Sequence, residues 1–191
     1  MAQIFGDFIE DLPKSQEYLI IGFSPSSQPL KKRWRNNGLS ADFMADYLIT
    51  FFPDQSHFPT NEQMAELKSA VSYIANELLE NAMKYNDDSS GVGISIQLQL
   101  HANKLIFLAT NSIAPDTIEC FQEKIQELIS NDPTDLYFKQ IEANVIDDSN
   151  SGLGLLTMMH DYLAKIGWRF ESPSGNGSAP IVTTMVQLLI S

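Results

Sequence analysis

Apolar residues recur at intervals of three and four through Met64, Leu67, Val71, Ile74, Leu78 and Ala82, so they form one stripe along a long helix. Thr60-Asn61-Glu62-Gln63 stands just before them in capping-box order, each of the outer two side chains satisfying an N–H at the helix start. A helix is therefore predicted from about Thr60 to Tyr85, closed by the polar loop Asn86 to Gly91. Val92, Ile94, Ile96, Leu98 and Leu100 then alternate with small or polar residues, the period of a half-buried strand. His101-Ala102-Asn103 reads as a turn into a second strand, Lys104 to Ala109, making an antiparallel hairpin. Ala114-Pro115 opens a helix carrying Ile118, Phe121, Ile125 and Leu128 on one face. Asn131-Asp132-Pro133 interrupts it, and a shorter helix runs from Thr134 to about Val145.

Ile146 to Gly154 reads as loop and Leu155 to Ile166 as a helix ended by Gly167. Trp168 to Glu171 and Ile181 to Ile190 form a last hairpin around the turn Ser174 to Ser178. Upstream, Glu17 to Phe23 is a strand, and Leu39 to Phe52 is a helix with Phe43, Tyr47, Ile49 and Phe51 as its apolar positions, broken at Pro53. The order predicts an α+β fold: a two-layer sandwich with helices on one face of a mixed, mainly antiparallel sheet. We expect one domain over 1–191, with 1–55 as a strand–helix extension and 56–191 as the core.

Composition narrows the partners. Twelve basic residues against 24 acidic ones give a net charge of −12, which repels nucleic acid and anionic lipid. Lys31-Lys32-Arg33-Trp34-Arg35 is the local exception, either a solvated helix start or a contact for a partner or phosphate. No apolar stretch is long enough to span a membrane and no signal peptide is read, so a cytoplasmic location is expected. The single Cys120 is expected as a small buried hydrophobe. Ile4, Phe5, Phe8 and Ile9 fit core packing and a second copy, a homodimer, equally well.

Two features carry candidate chemistry. Glu77 and Asn81 lie four residues apart on the long helix and so share a face. An amide oxygen can ligate Mg²⁺, and a carboxylate can orient or deprotonate a hydroxyl. Ser151-Gly152-Leu153-Gly154-Leu155 is a glycine-rich loop running into a helix, where backbone N–H groups can approach a phosphate. Alone, each pattern is common.

Taken in order, Glu77-Leu78-Leu79-Glu80-Asn81-Ala82-Met83-Lys84-Tyr85 resembles the N-box of the GHKL ATPase superfamily, and Ser151 to Leu155 resembles its G2 box. Gly175-Asn176-Gly177-Ser178 is similar to that family's last glycine turn. The resemblance runs from about Thr60 to Ser191 and implies a Bergerat-type ATP-binding fold, the histidine kinase-like ATPase domain. It implies Glu77 as general base, Asn81 as ligand of a Mg²⁺ that bridges the ATP phosphates, and Ser151, Gly152, Leu153, Gly154 and Leu155 as the phosphate loop. A mobile lid would cover Glu119 to Asn150, and Lys84 would either reach a phosphate or stay solvated.

The family's Asp-x-Gly-x-Gly segment is replaced by Ala109-Thr110-Asn111-Ser112-Ile113, leaving Asn111 or Thr110 as a neutral acceptor for adenine. His57, His101 and His160 are scattered, with no upstream helical hairpin to carry a phosphoacceptor. The chain thus looks most like the anti-sigma-factor serine kinases, and within them the SiaB-type kinases of partner-switching systems. That likeness implies a protein-serine/threonine kinase acting on a STAS-domain regulatory protein. The alternative is a non-catalytic module of the same fold that sequesters a partner.

Overall fold

The computed structural model describes residues 2–24, 34–52, 60–147, 152–172 and 179–190, without the side chains of 34–36 and 145–147. Six strands form one open sheet: β1 (Ala2–Gly6), β2 (Glu17–Phe23), β3 (Ile94–His101), β4 (Lys104–Ser112), β5 (Lys165–Glu171) and β6 (Ile181–Leu189). Their order is β1-β5-β6-β4-β3-β2. Every pairing among the described residues is antiparallel, so the mixed sheet expected from the sequence is replaced by an antiparallel one. The stretch expected as an extension supplies both edge strands.

The helices are α1 (Trp34–Ile49), α2 (Asn61–Lys84), α3 (Ile118–Ser130), α4 (Pro133–Asp147) and α5 (Leu153–His160). The capping box of α2 forms as predicted: Gln63 N–H donates to Thr60 Oγ1 at 3.3 Å and Thr60 N–H to Gln63 Oε1 at 3.0 Å. Val71, Ile74, Leu78 and Leu79 of α2 are fully buried with Ile96, Leu105 and Phe107 of the sheet. Each such side chain contributes about 1.5–3 kcal/mol on burial. α1 packs beside α2, fastened by Ser72 Oγ donating to Asp42 Oδ1 at 2.7 Å and by the Lys68–Asp46 ion pair. Asp132 caps α4, accepting from Thr134 N–H at 2.8 Å, with Pro133 at the first helical position.

The other face of the sheet is crossed by residues 7–16, a strap running from edge strand β1 to edge strand β2. At Gly6 the chain leaves the sheet with φ +63°, and a Cβ there would stand 2.5 Å from Ile166 O. Asp7 N–H then donates to Ile166 O at 2.9 Å. Gln187 Nε2 donates to Asp7 O at 2.6 Å, and Ile9 N–H meets Met185 Sδ at 3.5 Å. The strap ends at Ser15, whose Oγ lies 2.7 Å from Leu100 O. Ile106, Met185 and Gln187, which face away from the helices, are buried on this side.

Several expectations are corrected. The helix expected over Leu155 to Ile166 is two elements, α5 and β5, so Gly167 lies within β5 and caps no helix. Its lack of a side chain serves the strap, since a Cβ at 167 would stand 2.6 Å from Phe8 Cα and 2.7 Å from Asp7 C. The expected loop over Ile146 to Gly154 is shorter, because α4 extends to Asp147 and α5 starts at Leu153. On α1 the buried face is Ala41, Met44, Ala45 and Leu48, while Phe43 is exposed. Small residues let α1 approach α2 closely and push its aromatic side chains outward. Cys120, expected to be buried, is exposed on α3. Phe5 packs edge-on against Phe170 with ring centroids 5.6 Å apart, so it serves the core. The Pro53 to Pro59 break, Lys31 to Arg33, and the Gly175 to Ser178 turn lie outside the described residues. No helix among the described residues is long and apolar enough to cross a membrane.

Candidate functional site

The long helix carries Glu77 and Asn81 on one flank, and the first turn of α5 meets that flank. A Cβ added at Gly154 would overlap the Glu77 carboxylate, standing 2.9 Å from its Cδ and 3.4 Å from its Cγ. The carboxylate therefore fills the place of a side chain at 154, and glycine there is a steric requirement of this contact. One turn earlier on α2, Tyr73 comes beside Thr157 of α5, and its ring lies 5.4 Å from that of Tyr162. These contacts fix the register of α5 on α2.

Burial raises the Glu77 carboxyl above its ordinary value of 4.5, and the neighbouring Glu80 charge adds to the effect. Glu80 is held in turn by Asn76 Nδ2, which donates to its Oε1 at 3.0 Å. Burial also raises the Tyr73 phenol, opposed by the Thr157 side chain. A carboxyl whose folded pKa exceeds its unfolded one binds more protons when folded, so ionisation destabilises the fold. The penalty is absent below 4.5 and grows as pH rises through the raised value. Glu77→Gln should accordingly melt close to wild type at acid pH and above it at neutral pH, measured by thermal unfolding across the pH range.

Gly152 begins α5 in the left-handed region at φ +83°. The Gln140 side chain of α4 lies against it, a Cβ at 152 being 3.4 Å from Gln140 Cδ, and Gln140 Nε2 donates to Asn144 Oδ1 at 2.9 Å. α4 is held to the far end of α5 by Tyr137, stacked on His160 with centroids 4.5 Å apart. The expected lid over Glu119 to Asn150 thus contains α3 and α4, and α4 packs directly on the glycine-bearing helix.

The end of β4 is tied to the end of α2. Ser112 donates to Asn86 Oδ1 from N–H at 3.2 Å and from Oγ at 2.8 Å. Beside it Asn111 is buried on the strand face it shares with Phe107 and Ala109, and its Nδ2 donates to Ser112 O at 2.7 Å. Its Oδ1 accepts no hydrogen bond among the described residues, nor does the half-buried Asn81 side chain take part in one. Lys84 is exposed and its Nζ sits 5.2 Å from the centroid of the Tyr85 ring.

The chain matches no protein-family model and no curated protein. What can be weighed is donor chemistry. Among the described residues no group of three or more His, Cys, Asp or Glu side chains could hold a metal ion. One unengaged amide oxygen at Asn81, with a carboxylate one turn away, fits Mg²⁺, which takes few protein ligands and completes its shell from phosphate and water. The Asn111 acceptor is unengaged among the described residues, but the Gln140 side chain lies against Gly152 and the Glu77 carboxylate against Gly154, so side chains fill the space that a phosphate would need there. Among the described residues an open groove of about 540 Å³ runs elsewhere, between α1 and α2 past Gly38, Asp42 and Ser72. Of the expected site residues, Glu77 and Gly154 meet; Leu153 and Leu155 are half-buried in the first turn of α5; Ser151 lies outside the described residues. Tyr73, Thr157 and Gln140 were not marked by any motif, although the four-residue spacing of Tyr73 from Glu77 puts them on one face.

Proposed function

We propose that this chain is an ATP-binding protein-serine/threonine kinase of a bacterial partner-switching system, with a GHKL-type nucleotide site and a STAS-domain regulatory protein as substrate. The supporting observation is the contact between Glu77 and Gly154, which unites the N-box-like helix with the glycine loop. ATP with Mg²⁺ supplies the phosphoryl group and neutralises its charge. Asn81 offers the amide oxygen for the metal, Asn111 Oδ1 an acceptor for the adenine amino group, and the N–H groups of Gly152 to Leu155 donors for the phosphates. Glu77, its proton affinity raised by burial, accepts the proton of the partner's hydroxyl as that oxygen bonds to the γ-phosphorus and the β–γ bridge breaks. To do so its carboxylate must leave Gly154.

A second reading has its own support. Asn111 is neutral where the family has a carboxylate, and its amide is committed to Ser112 O. That favours a non-catalytic module of the same fold that sequesters its partner, with nucleotide at most a conformational ligand. Incubation with Mg-ATP labelled at the γ-phosphate and a STAS-domain protein separates the two. Label on a serine or threonine of that protein, with a melting temperature raised by ATP and not GTP, is the expected result. Partner binding without transfer would favour the module, and no shift at saturating nucleotide would remove ATP from both.

A further inference from the structure

The groove between α1 and α2 is lined by Gly38 and Asp42 on one wall and by Ser69, Ser72, Tyr73 and Asn76 on the other. Nothing in the fold requires glycine at 38. It lies inside α1 without a positive φ, and a Cβ there would meet nothing within 4 Å. Glycine in a helix interior weakens the helix relative to alanine, so position 38 carries a cost that no turn or contact explains. Its effect is to keep the groove clear, as where a second backbone passes close to a helix. The opposite wall offers hydroxyls and an amide, which match the hydrogen-bonding groups of a polypeptide better than an apolar ligand.

The place of the groove beside Glu77 points to which polypeptide it takes. Tyr73 belongs to both: it lines the groove, and its ring meets Tyr162 on the flank that carries Glu77 one turn further on. The groups proposed to hold the nucleotide lie level with Glu77 or beyond it, at the start of α5, at Asn81, and at Asn111 beside the end of α2. The groove lies before Glu77, along the N-terminal part of α2. In-line transfer needs the attacking and leaving oxygens on opposite sides of the phosphorus, and an acceptor arriving from the groove has that direction. Charge adds to the match. Lys68, the cation on the lining, is held by Asp46. Asp42, whose Oδ1 accepts from Ser72 Oγ at 2.7 Å, is left as the unbalanced charge of the groove.

We propose that this groove receives the segment of the substrate protein that bears the phosphorylated serine or threonine, laid extended along α2 with a lysine or arginine against Asp42. The assignment rests on the kinase reading of Glu77 and adds to it where the acceptor binds and what flanks it. Ser72 precedes Glu77 by five residues, about 7.5 Å of helix, which roughly two or three extended residues span. The basic residue therefore stands about two or three positions from the acceptor. The net charge of −12 favours the same complementarity at longer range.

Gly38→Trp puts a ring into the groove where a Cβ meets open space, so circular dichroism should show an intact fold. With labelled Mg-ATP and the STAS-domain protein that the wild type phosphorylates, KM for that protein should rise at least about 10-fold. The melting shift given by ATP should be unchanged. Leu39→Trp, exposed and outside the groove, should leave KM as it is. Asp42→Asn keeps an acceptor for Ser72 and removes the charge. Its KM should be about 5-fold above wild type at low salt and equal to it at about 0.5 M salt. Asp42→Lys should recover transfer to a substrate whose flanking basic residue is changed to glutamate. A wild-type KM at low salt in Gly38→Trp or Asp42→Asn, or loss of the ATP shift in Gly38→Trp, overturns the groove assignment and leaves the kinase reading standing. A wild type that transfers to no STAS-domain protein overturns both.

Discussion

Gly167→Ala should lower the melting temperature by roughly 6–12 °C, the equivalent of about 3 kcal/mol in a chain of this length. The added methyl would fall among the backbone atoms of Asp7 and Phe8, which cannot rotate away as a side chain can. Either the strap lifts from the sheet or β5 is pushed out of register with β6. Lifting the strap would break the bonds from Asp7 N–H to Ile166 O and from Gln187 to Asp7 O, and uncover Ile106 and Met185. Hydrogen exchange should show faster exchange at Asp7 before any change in α2. Gly22→Ala, which meets open space, is the control and should move stability little. Equal melting temperatures for the two variants would refute the steric account of Gly167.

Gly154→Ala should separate stability from activity. Its methyl collides with the Glu77 carboxylate, the far end of a flexible side chain, so the fold can accommodate it by rotating Glu77 aside. Alanine also recovers up to about 1 kcal/mol of helix propensity in α5. Stability should hardly change, yet the methyl would stand between the Glu77 carboxylate and the backbone N–H groups proposed to hold the phosphates. Phosphotransfer to the STAS-domain partner should therefore fall by about 10²-fold or more, as for Glu77→Gln, while ATP still shifts the melting temperature of Glu77→Gln. Unimpaired transfer by Gly154→Ala would detach the glycine from the proposed chemistry.

The elements that periodicity could reveal were legible: the α2 stripe and its cap, the β3–β4 hairpin, and α3 with its Pro115 entry. What was hidden depends on contacts between distant parts of the chain. Gly167 looked like a helix terminator because a glycine after an apolar run has that local meaning, whereas its reason is Phe8, far away in sequence. β1 carries only Ala2 to Gly6 and has no alternation long enough to read. In α1 the large residues drew attention from the small ones that make the contact. At the candidate site, the spacing of Glu77 and Asn81 and the glycines at 152 and 154 could be seen in the sequence. The meeting of Glu77 with Gly154, the approach of Tyr73 to Thr157 and Gln140 over Gly152 belong to tertiary packing, which no local pattern encodes.

The pairing of Ala2 with Glu171 has a consequence for biosynthesis. β1 leaves the ribosome well before β5, its one strand neighbour among the described residues, and the strap cannot settle before β5 and β6 exist beneath it. Closing so long a chain loop is entropically slow, so the nascent chain must wait with β1 unpaired. A chaperone that shields the emerging Ile4-Phe5 segment would act where this topology is most vulnerable.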